Sequence, residues 1–223
     1  MHRHVVLILL WLFAVTARAG GHFDVDDAFT LDPGQCQNET WYGRFGPEPV
    51  TDFHLGPACR VGPVELSFNF DRYSVPELYG VVLGPQVKWT WFGQGADATL
   101  VAAVSAGVVA DVTHGGHTGG QVLLPVSWRA LDSLWINANL GADWSTVTGE
   151  RTGRGGLQGE WALNDRVSLM FERFRAFGFW TSRVGARFSV TPLISVDVSA
   201  ARSSVAGSPR VYVIGLNHEF KGF

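Results

Sequence analysis

Many charged side chains in this 223-residue sequence stand in runs where polar and apolar residues alternate. Successive side chains of a β-strand point to opposite faces, so this spacing gathers the charges on one face. In VELSFNFDR, residues 64–72, Glu65 lies opposite Leu66 and Phe68. Such faces could line a water-filled passage or pair their charges and fill it. The candidate lining residues are Glu65, Lys88, Glu160, Glu172, Arg183, Arg187 and Asp197.

Two histidines three residues apart, His114 and His117, form a second arrangement with possible chemistry. They stand in a glycine-rich stretch, which is more typical of a flexible polar loop than of a metal site. Nucleophilic catalysis needs a hydroxyl beside a histidine, and Ser105, Ser145 and Thr118 are conceivable partners, but no G-x-S-x-G motif occurs. We predict no catalytic residue, no bound metal and no cofactor.

The N-terminus predicts export. Arg3 precedes the apolar run VVLILLWLFAV, residues 5–15, and the sequence ARA follows at 17–19. This run is too short to span a bilayer as a helix, so we interpret residues 1–19 as a cleaved signal peptide. Cleavage would leave a net charge of −5, and no basic surface for nucleic acid is indicated. The two cysteines, Cys36 and Cys59, are predicted to form a disulfide in an oxidising compartment.

Beyond the signal, apolar residues recur at every second position, and the 3.6-residue period of an amphipathic helix is hard to find. The chain is therefore predicted to be all-β, with short turns alternating with longer loops and aromatic residues near both strand ends. This rhythm is typical of a transmembrane, antiparallel, up-and-down β-barrel of about twelve strands. The strands are predicted to begin near Cys36, Asp52, Pro63, Gly80, Asp97, Gly119, Asp132, Gly153, Arg166, Phe179, Leu193 and Pro209.

A secreted soluble sandwich or ligand-holding barrel is the competing fold, and it would bury the apolar face in a core. Two features favour the membrane barrel. Twelve strands exceed the eight of common soluble up-and-down barrels, and charges stand in mid-strand on the opposite face of many strands.

The final strand, RVYVIGLNHEF, resembles the C-terminal assembly signal of Gram-negative outer-membrane β-barrel proteins through Gly215, His218 and Phe220. The resemblance implies insertion by the outer-membrane assembly machinery, with lipid as the other partner, and a location in the bacterial outer membrane. It implies no substrate.

The expected organisation is a signal peptide at 1–19, an N-terminal segment at 20–35 and a barrel at 36–223. The segment carries Asp24, Asp26, Asp27 and Asp32, and is either a solvated periplasmic tail or a plug beside Arg183 and Arg187 in the lumen.

The predicted function is a porin-like channel, or a barrel that binds or transports a small solute through a mixed-charge lumen. The alternatives are a structural or adhesive barrel with a filled lumen, and a lipid-modifying enzyme.

Overall fold

Twelve antiparallel strands close into one barrel in the computed structural model, which describes residues 22–47, 49–95 and 97–222 and leaves the His117 side chain undescribed. The predicted signal peptide and Phe223 lie outside these residues. No helix in the described ranges is long and apolar enough to cross a membrane. The strands are Gln35–Gly46 (β1), Val50–Val61 (β2), Val64–Val75 (β3), Leu78–Phe92 (β4), Leu100–Asp111 (β5), Gly116–Leu131 (β6), Leu134–Ser145 (β7), Arg151–Asn164 (β8), Val167–Ala176 (β9), Phe179–Thr191 (β10), Ile194–Ser203 (β11) and Arg210–Lys221 (β12).

The fold prediction is confirmed, since the number of strands is twelve and each begins within three residues of the expected position. Alternation made this possible, because a strand with one apolar face has a single register that keeps that face together. In β3, Glu65 is buried inside the barrel, whereas Leu66 and Phe68 are exposed on its outer surface. The outer surface is apolar across the strands and carries Trp89, Trp128 and Trp161 near one rim. This is the surface that lipid requires.

The barrel closes where β1 pairs with β12, from Gln35 opposite Lys221 to Gly46 opposite Arg210. On its other side β1 pairs with β2, with Cys36 directly opposite Cys59. These two cysteines form a disulfide. The predicted cross-link is therefore confirmed, and it ties together the two strands that follow the N-terminal segment.

The predicted alternation of short turns with longer loops is only partly correct. We call the rim with residues 62–63, 93–99, 132–133, 165–166 and 192–193 the turn rim, and the opposite rim the loop rim. At the loop rim, β3 reaches Val75 and β4 starts at Leu78, so the predicted loop shrinks to residues 76–77. Glu77 has a positive φ of 67° that permits this tight reversal. The connection 93–99, at the turn rim, is longer than predicted.

Pro125 lies within β6, where a proline was expected to mark an edge or a bulge. It pairs with Asn139 of β7, but the ladder to β5 skips it, running from Ala102 opposite Val126 to Ser105 opposite Leu123. A proline has no N–H to donate, so the ladder is interrupted on one side without any change of register.

The segment before β1, residues 22–34, enters the barrel from the turn rim. Next to β1 it is held where the Gly222 N–H donates to the Gly34 carbonyl at 2.7 Å. At its far end His22 Nε2 lies 2.6 Å from Ser199 Oγ, in the middle of β11. The segment therefore runs along the inner wall from the turn rim to about half the height of the barrel.

Candidate functional site

The lumen contains a cavity of about 1910 Å³ whose lining reaches both rims. Asp165 and Pro192 line it at the turn rim, and Phe45 and Thr181 line it at the loop rim. The N-terminal segment contributes to the lining along much of this length. The segment therefore narrows the lumen and leaves space beside itself.

The half of the segment nearest β1 is anchored by hydrogen bonds and small apolar contacts. The Ala28 N–H donates to Ser127 Oγ at 2.9 Å, and Thr90 Oγ1 donates to the Ala28 carbonyl at 2.6 Å. The Ala28 side chain is completely buried against Val101 and Ala103. The wall and the segment therefore share a small apolar cluster at this point.

Leu31 extends this anchor to the turn rim. Its N–H donates to Glu65 Oε2 at 2.9 Å, and its carbonyl accepts from Arg60 Nη1 at 2.9 Å. Glu65, a predicted lumen residue, thus accepts a hydrogen bond from the backbone of the segment.

The other half of the segment is held by charge. Asp24 Oδ2 lies 2.8 Å from Arg183 Nη2, and Asp24 Oδ1 lies 3.8 Å from Arg154 Nη2. Arg183 also donates through Nη1 to the His22 carbonyl. Two guanidinium groups from β8 and β10 therefore converge on one carboxylate of the segment.

Asp26 forms the second charged contact, with its Oδ1 3.0 Å from Lys88 Nζ. Asn139 fixes the backbone at the same position, because its Oδ1 accepts from the Asp26 N–H at 2.8 Å and its Nδ2 donates to the Asp26 carbonyl at 2.7 Å. Glu172 holds the two preceding residues, because its Oε2 accepts from the Val25 N–H at 3.0 Å and from the Asp24 N–H at 3.1 Å. Lys88 and Glu172 were both predicted to face the lumen.

Arg187 forms ion pairs with two carboxylates of the wall. Its Nε and Nη2 lie 2.8 and 3.2 Å from the two carboxylate oxygens of Asp197, and its Nη1 lies 3.7 Å from Glu160 Oε1. Asn217 Nδ2 donates to Asp197 Oδ2 at 2.8 Å. This two-pronged geometry is the strongest form of an arginine–carboxylate pair.

Between the segment and the loop rim, the lumen contains a cluster of aromatic and acidic side chains. His54 Nδ1 lies 2.6 Å from Asp71 Oδ1, and Trp41 stacks on the His54 ring with centroids 5.0 Å apart. Asp52 also lines the cavity here. These residues hold each other in place and keep the upper lumen polar.

The histidine loop does not assemble a catalytic or metal arrangement among the described residues. His114 Nδ1 lies 3.2 Å from Asp111 Oδ2, and the His114 N–H donates to the same carboxylate at 2.9 Å. Ser105 is buried on the inner face of β5, and Ser145 accepts from the Thr148 N–H within its own loop. No group of three metal-ligating side chains occurs within the described ranges.

The seven predicted lumen residues fall into two groups in space. Arg187, Asp197 and Glu160 form the wall network, while Glu65, Lys88, Glu172 and Arg183 hold the N-terminal segment. Sequence reasoning missed Arg154 as a site residue. Its strand contains GRGG, where glycines hide the alternation. Arg154 nevertheless lies six positions before the predicted Glu160, and therefore on the same face of the strand.

The sequence matches the family described as "Uncharacterised conserved protein UCP029691" over residues 6–220. The chain belongs to this family. No curated protein shows significant sequence similarity to this family member.

Solved structures of outer-membrane barrels resemble this family member. The KdgM porin has a TM-score of 0.67 and 9% identity over 82% of this chain and 99% of its own. The NanC porin has a TM-score of 0.63 and 12% identity over 81% and 98%. Outer membrane phospholipase A from Escherichia coli has a TM-score of 0.55 and 8% identity over 82% and 92%. At these identities the likeness shows the fold alone.

Proposed function

We propose that this protein is a porin-like channel of the bacterial outer membrane, through which small hydrophilic solutes pass, and that its own N-terminal segment narrows the passage. The observation that carries the proposal is the cavity of about 1910 Å³ whose lining reaches both rims of the barrel. A barrel whose interior served only as packing would be filled by side chains along its whole height.

Three further observations support a channel. The inner wall carries charges of both signs, which is what a water-filled lumen tolerates and an apolar core does not. The KdgM and NanC porins share the fold, and one KdgM structure contains disordered oligogalacturonate. The predicted signal peptide and C-terminal assembly signal agree with delivery to the outer membrane, with lipid and the assembly machinery as partners.

A structural barrel with a filled lumen is the second candidate, and one observation favours it. Backbone N–H groups along the segment donate to wall side chains, so the segment packs as part of the barrel interior. The acceptors are Ser127, Asn139, Glu172 and Glu65. A lipid-modifying enzyme has less support, since the likeness to phospholipase A is one of fold and His114 is engaged by Asp111.

Single-channel conductance of the refolded mature protein in a planar bilayer tests the proposal. We expect discrete, reproducible steps, and larger steps from a variant that lacks residues 22–31, because the segment occupies part of the lumen. The variant keeps Gly34 and Cys36, so strand β1 and its disulfide are retained.

Barrel formation in both proteins is checked first, by the slower gel mobility of the unheated sample compared with the heated one. Folded full-length protein that is silent while the deletion variant conducts would identify a closed channel. Silence from both folded proteins would contradict the channel and support the filled structural barrel. Release of fatty acid from phospholipid vesicles would instead support an enzyme.

A further inference from the structure

Asp24 of the segment occupies a position that the wall has built for a carboxylate. Arg183 Nη2 approaches it at 2.8 Å and Arg154 Nη2 at 3.8 Å, from two strands that are not neighbours. Both arginine side chains are largely buried, with 10% and 14% of their surface exposed, while Asp24 itself is 30% exposed. The arginines are thus fixed, and the anion between them faces the open part of the lumen.

Each arginine is held in place by a carboxylate of the wall. Arg183 Nε lies 3.1 Å from Glu172 Oε1, and Arg154 Nη1 lies 3.2 Å from Asp143 Oδ1. The side chains of Glu172 and Asp143 are almost completely buried. Glu172 also accepts hydrogen bonds from the Asp24 and Val25 N–H groups, but both ion pairs join residues of the wall. Each arginine therefore keeps a wall carboxylate as a partner when Asp24 leaves, and its Nη2 group remains directed at the vacated position.

The segment is built so that its two halves can separate. Residues 22–26 include the buried Val25 but are held mainly by charged and polar contacts to wall side chains, whereas Ala28 is packed against Val101 and Ala103. Contacts of the first kind can be replaced by a solute or by water, while the second kind requires burial of apolar surface. The first half can therefore leave the wall while the second stays anchored.

We propose that a carboxylate-bearing solute binds between Arg154 and Arg183 in place of Asp24, and that its binding releases residues 22–26 and widens the lumen. This inference rests on the proposed channel function and names the solute chemistry and the gating element of that channel. Guanidinium groups bind a planar carboxylate in a defined geometry, which makes them suited to this exchange. The nearby Glu172 and Asp143 carboxylates disfavour a compact dianion such as phosphate, because like charges repel.

The exchange is a competition between a free anion and a tethered one. A short tether gives Asp24 an effective concentration on the order of millimolar, so a single free carboxylate must be present at comparable or higher concentration to displace it. The channel would then widen when an acidic nutrient is abundant outside the cell and narrow when it is scarce.

Planar-bilayer recordings of the mature protein in sodium gluconate and in sodium chloride, at equal ionic strength, test this inference. Gluconate should increase the fraction of time spent in the larger conductance state. In a variant that lacks residues 22–26, gluconate should leave this fraction unchanged, because no segment remains to be released.

Asp24→Asn and Asp27→Asn form a matched pair, since both remove one negative charge from the segment. Asp27 makes its hydrogen bond within the segment, accepting from the Phe29 N–H at 2.7 Å. In chloride, Asp24→Asn should raise the ratio of time in the larger state to time in the smaller state by roughly tenfold, because a charge-assisted contact is lost. Asp27→Asn should behave as the unmodified protein.

Equal effects of the two substitutions, or an equal increase in the larger-state fraction with and without residues 22–26, would overturn the inference while the channel itself stands. Silence from every variant, including the deletion, would instead remove the channel on which the inference depends.

Discussion

At the scale of single residues, the inner wall depends on charges that are paired before any solute arrives. Asp197 is completely buried and is neutralised by Arg187 and hydrogen-bonded by Asn217. A buried ion pair contributes little net stability, because both charges lost their hydration, but removing one partner leaves the other buried without compensation.

Arg187→Gln is therefore expected to destabilise the barrel by about 3 kcal/mol, measured as a lower urea midpoint of the refolded protein in lipid vesicles. The double variant Arg187→Gln with Asp197→Asn should recover part of the loss, because the orphaned charge is gone. Arg173→Gln is the matched control: Arg173 is exposed on the outer surface, where it donates to Ser182, and its loss should change stability little. An equal loss in Arg173→Gln would show that the pairing of Arg187 is not the cause.

At the scale of elements, strand β1 has two structural roles. It closes the barrel against β12, and through Cys36 it is cross-linked to β2 just after the segment leaves the lumen. The disulfide joins residues 23 apart, so it limits the freedom of the unfolded chain over the first hairpin.

Reduction of this disulfide should lower the stability of the barrel by up to about 3 kcal/mol, from the loop-closure entropy of a ring of this size. The measurement compares urea midpoints of oxidised and reduced protein. Cys36 and Cys59 are the only cysteines in the sequence, so the reductant acts on one bond. The variant Cys36→Ser with Cys59→Ser should match the reduced protein and be insensitive to reductant. A midpoint unchanged by reduction would mean that the strand ladder alone sets the stability of the hairpin.

At the scale of the whole molecule, the apolar outer surface decides between a membrane barrel and a soluble one. Leu140 lies in the middle of β7 and is 70% exposed, whereas Leu131 ends β6 at the turn rim and is 62% exposed. In water both would be ordinary exposed positions, and a charge at either would be tolerated equally.

In a bilayer the two positions differ in depth. Leu140→Arg should cost about 2–4 kcal/mol and Leu131→Arg about 0–1 kcal/mol, measured from folding equilibria in lipid vesicles. A charge in mid-strand must displace or reach through hydrocarbon, while one at the rim meets headgroups and water. Equal costs at the two positions would contradict a lipid-facing surface.

The sequence by itself determined the barrel. Strict alternation fixes which face of each strand is apolar, and turn residues indicate where strands end. An even number of strands places both ends of the chain at one rim. Together these features predicted the fold, the strand positions and the Cys36–Cys59 pair. These features are local, or follow from pairing between neighbours in the chain. The same alternation, applied to each strand, placed Glu65, Lys88 and Arg183 on the inner face.

Only the tertiary structure decided what those inner residues contact. Arg183 meets Asp24 across 159 positions of sequence, and Arg154 meets the same carboxylate from another strand. No periodicity encodes these distances, because they depend on the curvature of the closed sheet and on the path of a segment without regular structure. Alternation therefore predicts that a charge faces the lumen, while barrel closure selects its partner and leaves the space in which a solute could compete for it.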